Sequence, residues 1–178
     1  MDAARRVLSY LHRHRDIGLR YETGSSTLSG MVDSDWAVKH STTGYVFRMA
    51  RAAVSWGSKK QVSVALSSCE AEIMAASEAA KEAIYLDRFA QELRMKGPEP
   101  VALGMDNQGA RDLAYNPEHH ERTKHIERRH FFIRECVEEG KLTVPFVRTD
   151  DNLADFLTKP LPASRFFALR DRIMNVQT

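Results

Sequence analysis

The stretch SSCEAEIMAASEAAKEAIYLDRFAQELRMKGP, residues 67–98, decides how the rest of the chain is read. Ser67 followed three residues later by Glu70 is a capping box, in which a hydroxyl and a carboxylate satisfy backbone N–H groups that a helix start leaves open. From there to Lys96 the run is rich in Ala, Glu and Leu, and Gly97-Pro98 stops it, because proline cannot continue a helix. Ile73, Ala76, Ala80, Ile84 and Leu93 recur near helical spacing. The spacing predicts one long helix, from about Ser68 to Lys96, packed through an apolar face on a sheet.

Toward the N-terminus, Leu28–Asp33, Gly44–Met49, Ala53–Trp56 and Val62–Leu66 alternate β-branched and aromatic residues between short polar spacers, which favours antiparallel hairpins. Toward the C-terminus, an apolar run from Val101 to Met105 leads into Asp106-Asn107. Helical patterning follows over Gln108–Tyr115, and Asn116-Pro117 breaks it. A charged segment from Glu118 to Arg129 enters a helix ending near Gly140, Leu142–Val147 alternates like a strand, and residues 151–158 and 164–174 read as two short helices. Hairpins followed by β–α alternation predict an α/β fold, a mixed sheet with helices on its faces. Ahead of it, Ala4, Val7, Leu8 and Leu11 form a stripe on a basic helix, and the polar stretch Thr23–Gly30 separates that helix from the body. Residues 28–160 are read as the main domain, 1–27 as a connecting segment and 161–178 as a helical tail.

With 178 residues, 43% of them hydrophobic and 28% charged, the chain holds one domain with a sizeable core, and the composition is not that of a disordered protein. No apolar run approaches membrane-spanning length. Cys69 and Cys136 are too few for a disulfide framework and lack the spacing of a zinc site, which points to a reducing, intracellular compartment. A net charge of +2 does not by itself call for a nucleic-acid partner.

Four carboxylates fall at element ends: Asp33 closing the first strand, Glu72 in the first turn of the long helix, Asp106 after a later strand, and Asp155 in a helix after the last strand. Strand ends and nearby helix starts are where sheets of this kind form their sites. Carboxylates brought together repel unless a cation neutralises them, and hard oxygen ligands suit Mg²⁺ or Mn²⁺ rather than zinc. The chemistry this implies is two-metal phosphodiester hydrolysis. With 24 acidic residues in the chain, some fall at element ends by chance, and composition does not separate the two readings.

The local strings do. ARRVLSYLHRHRDIGLRY, VDSDWA, STTGYVF, VSWGSKKQ, VALSSCEAEIMAASEAAKEAIYL, MDNQGA, NPEHHERTKHI, HFFIRE and DDNLADFLTKPL follow one another along the chain. In that order they resemble the ribonuclease H domain of copia-type LTR retrotransposon Pol polyproteins over nearly the whole length. The resemblance implies a ribonuclease H-like fold, with a five-stranded mixed sheet of three antiparallel strands then parallel β–α units and helices on both faces, and a metal-dependent endoribonuclease that cleaves the RNA strand of RNA–DNA hybrids during reverse transcription. It makes Asp33, Glu72, Asp106 and Asp155 both the catalytic residues and the ligands of two Mg²⁺ ions, or Mn²⁺ in their place, with Asp33 bridging the pair. It places the first 27 residues at the end of the reverse transcriptase region. The implied partners are the hybrid and the reverse transcriptase domain of the same polyprotein, with no membrane, in the cytoplasm within a virus-like particle or in the nucleus.

Between Trp36 and STTGYVF the family usually carries a longer loop, so the first hairpin is trimmed here. The His-bearing loop that precedes the last Asp in cellular ribonucleases H is replaced by Arg148–Asp151. Lys59, Lys60, Asn107 and His125 are the candidate substrate contacts. Turn lysines are more often only solvated, and a helix-start or packing role for His125 is about as common. Asp35 is read as a solvated or hydrogen-bonding residue beside the site, His119 and His120 as solvated, and Trp36 and Trp56 as sheet aromatics. Two other functions compete. A transferase of integrase type is disfavoured because its acidic order ends in Glu, whereas Glu72 is second here. A decayed or domesticated fragment that binds nucleic acid or a Pol partner without cleaving is separated only by activity.

Overall fold

The computed structural model describes residues 2–24, 27–37, 39–115 and 124–176, with side chains described throughout these except at 124–128 and 130. Strands β1 (Ser29–Asp35), β2 (Thr42–Met49) and β3 (Ala52–Lys60) form an antiparallel meander. β4 (Val101–Gly104) adds parallel to β1, and β5 (Leu142–Thr143) parallel to β4, giving the order β3-β2-β1-β4-β5. This is the five-stranded mixed sheet expected.

Side chains of successive strand residues point to opposite faces, and the sheet uses both. Val32 and Phe47 bury against α2 (Ser68–Glu92), α3 (Gln108–Tyr115) and α4 (Lys124–Glu138). Their neighbours Met31 and Val46 pack on the other face with Leu153 and Leu169, from the segment that carries α5 (Asp155–Thr158) and α6 (Ala163–Met174). Ala75, Ala76, Ala79, Ala80 and Ala83 are all fully buried, so α2 presents methyl groups to the sheet and lies close to it. Gly30 serves the same closeness, since a Cβ there would sit 2.4 Å from the Phe47 ring. Helix α1 (Asp2–Arg13) buries none of its residues, although Tyr10 meets Phe166 of α6 edge to face at 5.6 Å.

Several expectations change. The strand expected over Leu142–Val147 narrows to β5, with Met105 and Phe146 forming one isolated parallel bridge beyond it. Val62–Leu66 is not a strand: β3 already occupies the sheet edge as far as Lys60, and the following residues cross to α2 with Val62, Val64 and Leu66 exposed. Helix α2 ends at Glu92 rather than Lys96, with Arg94 in the left-handed region (φ 56°) and the Lys96 ammonium turned back onto Asp87 at 2.7 Å. At its start the Ser67 hydroxyl accepts from the Glu70 N–H at 3.1 Å, and Glu70 in return accepts from the Leu66 N–H at 2.7 Å, one residue before the reciprocal partner of a capping box.

Candidate metal centre

Asp33 lies inside β1, directly across from Gly44 of β2. The parallel register of β1 with β4 pairs Ser29 with Ala102 and Met31 with Gly104, so one further step along both strands sets Asp106 beside Asp33. Asp155 opens α5, and buried Asn152 carries it to the sheet. The Asn152 amide donates to the Val32 carbonyl at 2.9 Å, and its oxygen accepts from the Ala154 N–H at 3.0 Å. One carboxylate oxygen from each of Asp33, Asp106 and Asp155 then lies within 4.8 Å of the others, with Asp33 and Asp155 buried.

Glu72 stands beside this trio and not inside it. It sits in the second turn of α2, Glu70 taking the acidic position in the first. Its Oε1 accepts from the Ser34 N–H at 3.0 Å and the Ser34 hydroxyl at 2.9 Å, while its Oε2 is buried with no hydrogen-bond partner among the described residues. Burial, with Asp33 and then Asp106 adding like-charge repulsion against the opposing pull of the Ser34 hydrogen bonds, raises the Glu72 carboxyl from its ordinary 4.5 to about 8. Asp33 is raised to about 6, again first by burial; the Thr158 hydrogen bond and Lys159 pull it down, and Asp155 and Asp106 push it up. Desolvation therefore outweighs the like-charge repulsion that clustered carboxylates lead one to expect.

Three groups around the trio have no signature in the sequence reading. The Thr158 hydroxyl donates to Asp33 Oδ2. Lys159 Nζ lies 2.7 Å from Asp155 Oδ1 and 3.9 Å from Asp33 Oδ2. Arg165 Nη2 lies 2.5 Å from Asp155 Oδ2 and also reaches the Thr149 carbonyl at 2.7 Å, while its Nη1 meets Asp150 at 3.0 Å. Only the i,i+4 spacing of Asp155 and Lys159 carried a local signal for any of these contacts. Ser34, next to Asp33 in the string VDSDWA, orients Glu72 without any such local signal.

Of the remaining candidates, Lys59 and Lys60 end β3 and line a groove of about 540 Å³ between β3 and α2, with Thr43, Lys81 and Arg129 in its wall. The Lys60 ammonium donates to the His40 carbonyl at 3.1 Å. Asn107 starts α3, its side-chain oxygen accepting from the Ala110 N–H at 3.0 Å, so its place beside Asp106 is also that of a helix cap. Asp35 closes β1 opposite Thr42. The side chain of His125, and His119 and His120 altogether, lie outside the described residues. Trp36 donates its indole N–H to the Ala65 carbonyl at 3.1 Å and Trp56 is half-exposed on β3.

Over 169 residues, 93% of the chain, the sequence is 41% identical to the retrovirus-related Pol polyprotein from transposon TNT 1-94 of Nicotiana tabacum. The chain is a homologue of copia-type Pol polyproteins. It spans 13% of the length of that relative. No family model matches it. Its fold is that of ribonuclease H. The N-terminal ribonuclease H domain of a Mycobacterium tuberculosis protein superposes with a TM-score of 0.58 at 11% identity, over 82% of this chain and 96% of that one. LC11-RNase H1 in complex with an RNA/DNA hybrid gives 0.58 at 14% identity, over 74% and 94%. The Pol-type chain thus presents three converging carboxylates, a fourth alongside, and a groove lined by four cations and the carboxylates of Glu78 and Glu82 on a ribonuclease H fold. Among the described residues, no helix is long and apolar enough to cross a membrane.

Proposed function

We propose that the chain cleaves the RNA strand of RNA–DNA hybrids by metal-dependent hydrolysis. The observation that carries this is the convergence of Asp33, Asp106 and Asp155 within 4.8 Å on a ribonuclease H fold. The donor set fits divalent cations: every ligand atom is a hard carboxylate oxygen, and the partnerless Oε2 of Glu72 is a fourth donor left in a buried position. Asp33, Glu72, Asp106 and Asp155 would hold Mg²⁺, or Mn²⁺ in its place. Such ions supply positive charge that makes water nucleophilic near neutral pH and stabilises the leaving 3′ oxygen.

The protein's own groups prepare the site. Ser34 fixes one oxygen of Glu72 and leaves the other free; Thr158 fixes Asp33; Arg165, held by two further acceptors, fixes Asp155. The groove lined by Lys59, Lys60, Lys81 and Arg129, with Glu78 and Glu82 also in its wall, includes Thr43, the β2 partner of Ser34, and its cations are suited to a phosphate backbone. The LC11 enzyme bound to a hybrid supports that substrate. Asn107 and His125 complete the proposed substrate contacts. We assign residues 1–27 to the connection with a preceding reverse transcriptase domain, where the exposed Val7, Leu8 and Leu11 of α1 would meet a partner surface, and residues 161–178 to a C-terminal tail whose helix α6 packs Leu169 on the sheet face opposite α2.

Incubation of the chain with a labelled hybrid, with and without Mg²⁺ or Mn²⁺, tests this. Metal-dependent cuts in the RNA strand that vanish in Asp33→Asn are expected. A wild type as inert as the variant, yet still binding hybrid, would favour the non-cleaving module instead.

A further inference from the structure

We propose that Lys159 is a built-in competitor of the divalent cation: its ammonium holds the charge position between Asp33 and Asp155 in the metal-free protein and must leave before metal binds. The inference rests on the reading of the carboxylate cluster as a divalent-metal site.

The two cations on Asp155 are not equivalent. Arg165 is held by Asp155, Asp150 and the Thr149 carbonyl together, so it is tied into the framework. Among the described residues, the Lys159 ammonium meets only carboxylates that a metal would need, Asp155 Oδ1 at 2.7 Å and Asp33 Oδ2 at 3.9 Å. Its side chain is 35% exposed, whereas those of Asp155 and Asp33 are 1% and 4% exposed, so the ammonium reaches inward from a solvent-facing stem that offers a way out. The backbone sets that stem in place. Lys159 precedes Pro160, which disfavours helical geometry, and its extended φ −141°, ψ 154° ends α5 at this residue.

One ammonium offsets one charge among several carboxylates, which is enough to hold the metal-free site together. A divalent ion brings twice the charge and accepts several oxygens at once, so it displaces the lysine, and its binding is weakened by whatever the lysine contact is worth. Arg165 stays on the other oxygen of Asp155 throughout.

The test is Mn²⁺ binding to the metal-free full chain, measured by calorimetry, together with melting temperature in EDTA, for wild type, Lys159→Met, Lys159→Arg and Asp33→Asn. Lys159→Met keeps the apolar stem and removes the charge. It should bind Mn²⁺ roughly tenfold tighter than wild type or more, and melt lower in EDTA. Lys159→Arg, which keeps the charge, should bind no tighter than wild type. If Lys159→Met does not fold, Lys159→Gln takes its place in the same comparison. Mn²⁺ affinity of the neutral variant equal to or below that of wild type, with Asp33→Asn still weaker, overturns the inference and leaves the metal site standing. Wild type and Asp33→Asn binding Mn²⁺ alike would overturn the metal site itself, and the inference with it.

Discussion

Gly44 faces Asp33 across the β1–β2 ladder, and the Cβ it lacks is the space that the Thr158 methyl group fills. A methyl at Gly44 would stand 2.6 Å from Thr158 Cγ2 and 3.1 Å from the Ala154 carbonyl. The hydroxyl of the same threonine holds Asp33. Gly44→Ala should therefore push α5 off the sheet, cost about 1–3 kcal/mol of stability by overpacking, and lower hybrid cleavage by more than the stability loss explains. Denaturant unfolding alongside single-turnover cleavage checks both.

Asp33→Asn should reduce hybrid cleavage to background and weaken Mn²⁺ binding sharply, while raising the melting temperature in EDTA at pH 8. The Asp33 carboxyl ordinarily titrates at 3.8 and here at about 6, so at pH 8 the folded protein carries a buried charge that the amide does not. The gain should vanish at pH 4, where Asp33 of the folded wild type is protonated.

Glu72 gives the metal-free protein a distinct pH profile. Its ordinary value is 4.5 and its folded value about 8, so between these the native state keeps a proton that the unfolded state has released. The stabilising contribution is whole below 4.5 and is lost as pH rises through 8. Melting temperature in EDTA should fall from pH 5 to pH 8.5, Glu72→Gln should flatten that slope, and saturating Mg²⁺ should reverse it.

Ser34→Ala removes one of the two donors to Glu72 Oε1, the hydroxyl, and leaves the backbone N–H. A hydrogen bond to a carboxylate favours its ionised form, so the Glu72 carboxyl should titrate still higher and the pH profile of cleavage should shift upward. Stability should change by only about 1 kcal/mol. An unshifted pH profile would remove Ser34 from the site.

Lys59→Gln combined with Lys60→Gln should weaken hybrid binding uniformly across sequences and reduce the salt slope of log affinity by up to about two. The effect should appear in KM, with single-turnover cleavage at saturating hybrid close to wild type.

The sequence made the helix on residues 68–92 plain because its signals are local: Ser67 caps it and Gly97-Pro98 follows it. Alternation likewise put Asp33 on the first strand, and the apolar run Val101–Met105 put Asp106 just past a later one, β4. Val62, Val64 and Leu66 imitate a strand by the same alternation, but a strand also needs a free edge to pair with, and β3 holds it to Lys60. That end of β3 has no local signal, because Ser58, Lys59 and Lys60 have little strand preference and are held by pairing with Gly44, Thr43 and Thr42. The roles of Thr158 and Ser34 are not encoded locally: their partners lie 125 and 38 residues away, and no periodicity within a segment specifies such contacts.

Asn152 bonds to Val32 across 120 residues of chain, and this contact seats the third aspartate of the trio. A growing polypeptide can pair β1, β2 and β3 and lay α2 over them from local contacts alone, since these neighbours are joined by short connections. Asp155 is still unmade at that stage. The carboxylate centre is thus completed by the late arrival of residues 149–174, so synthesis itself times its assembly, and a chain cut short before Asn152 would carry the sheet without the centre.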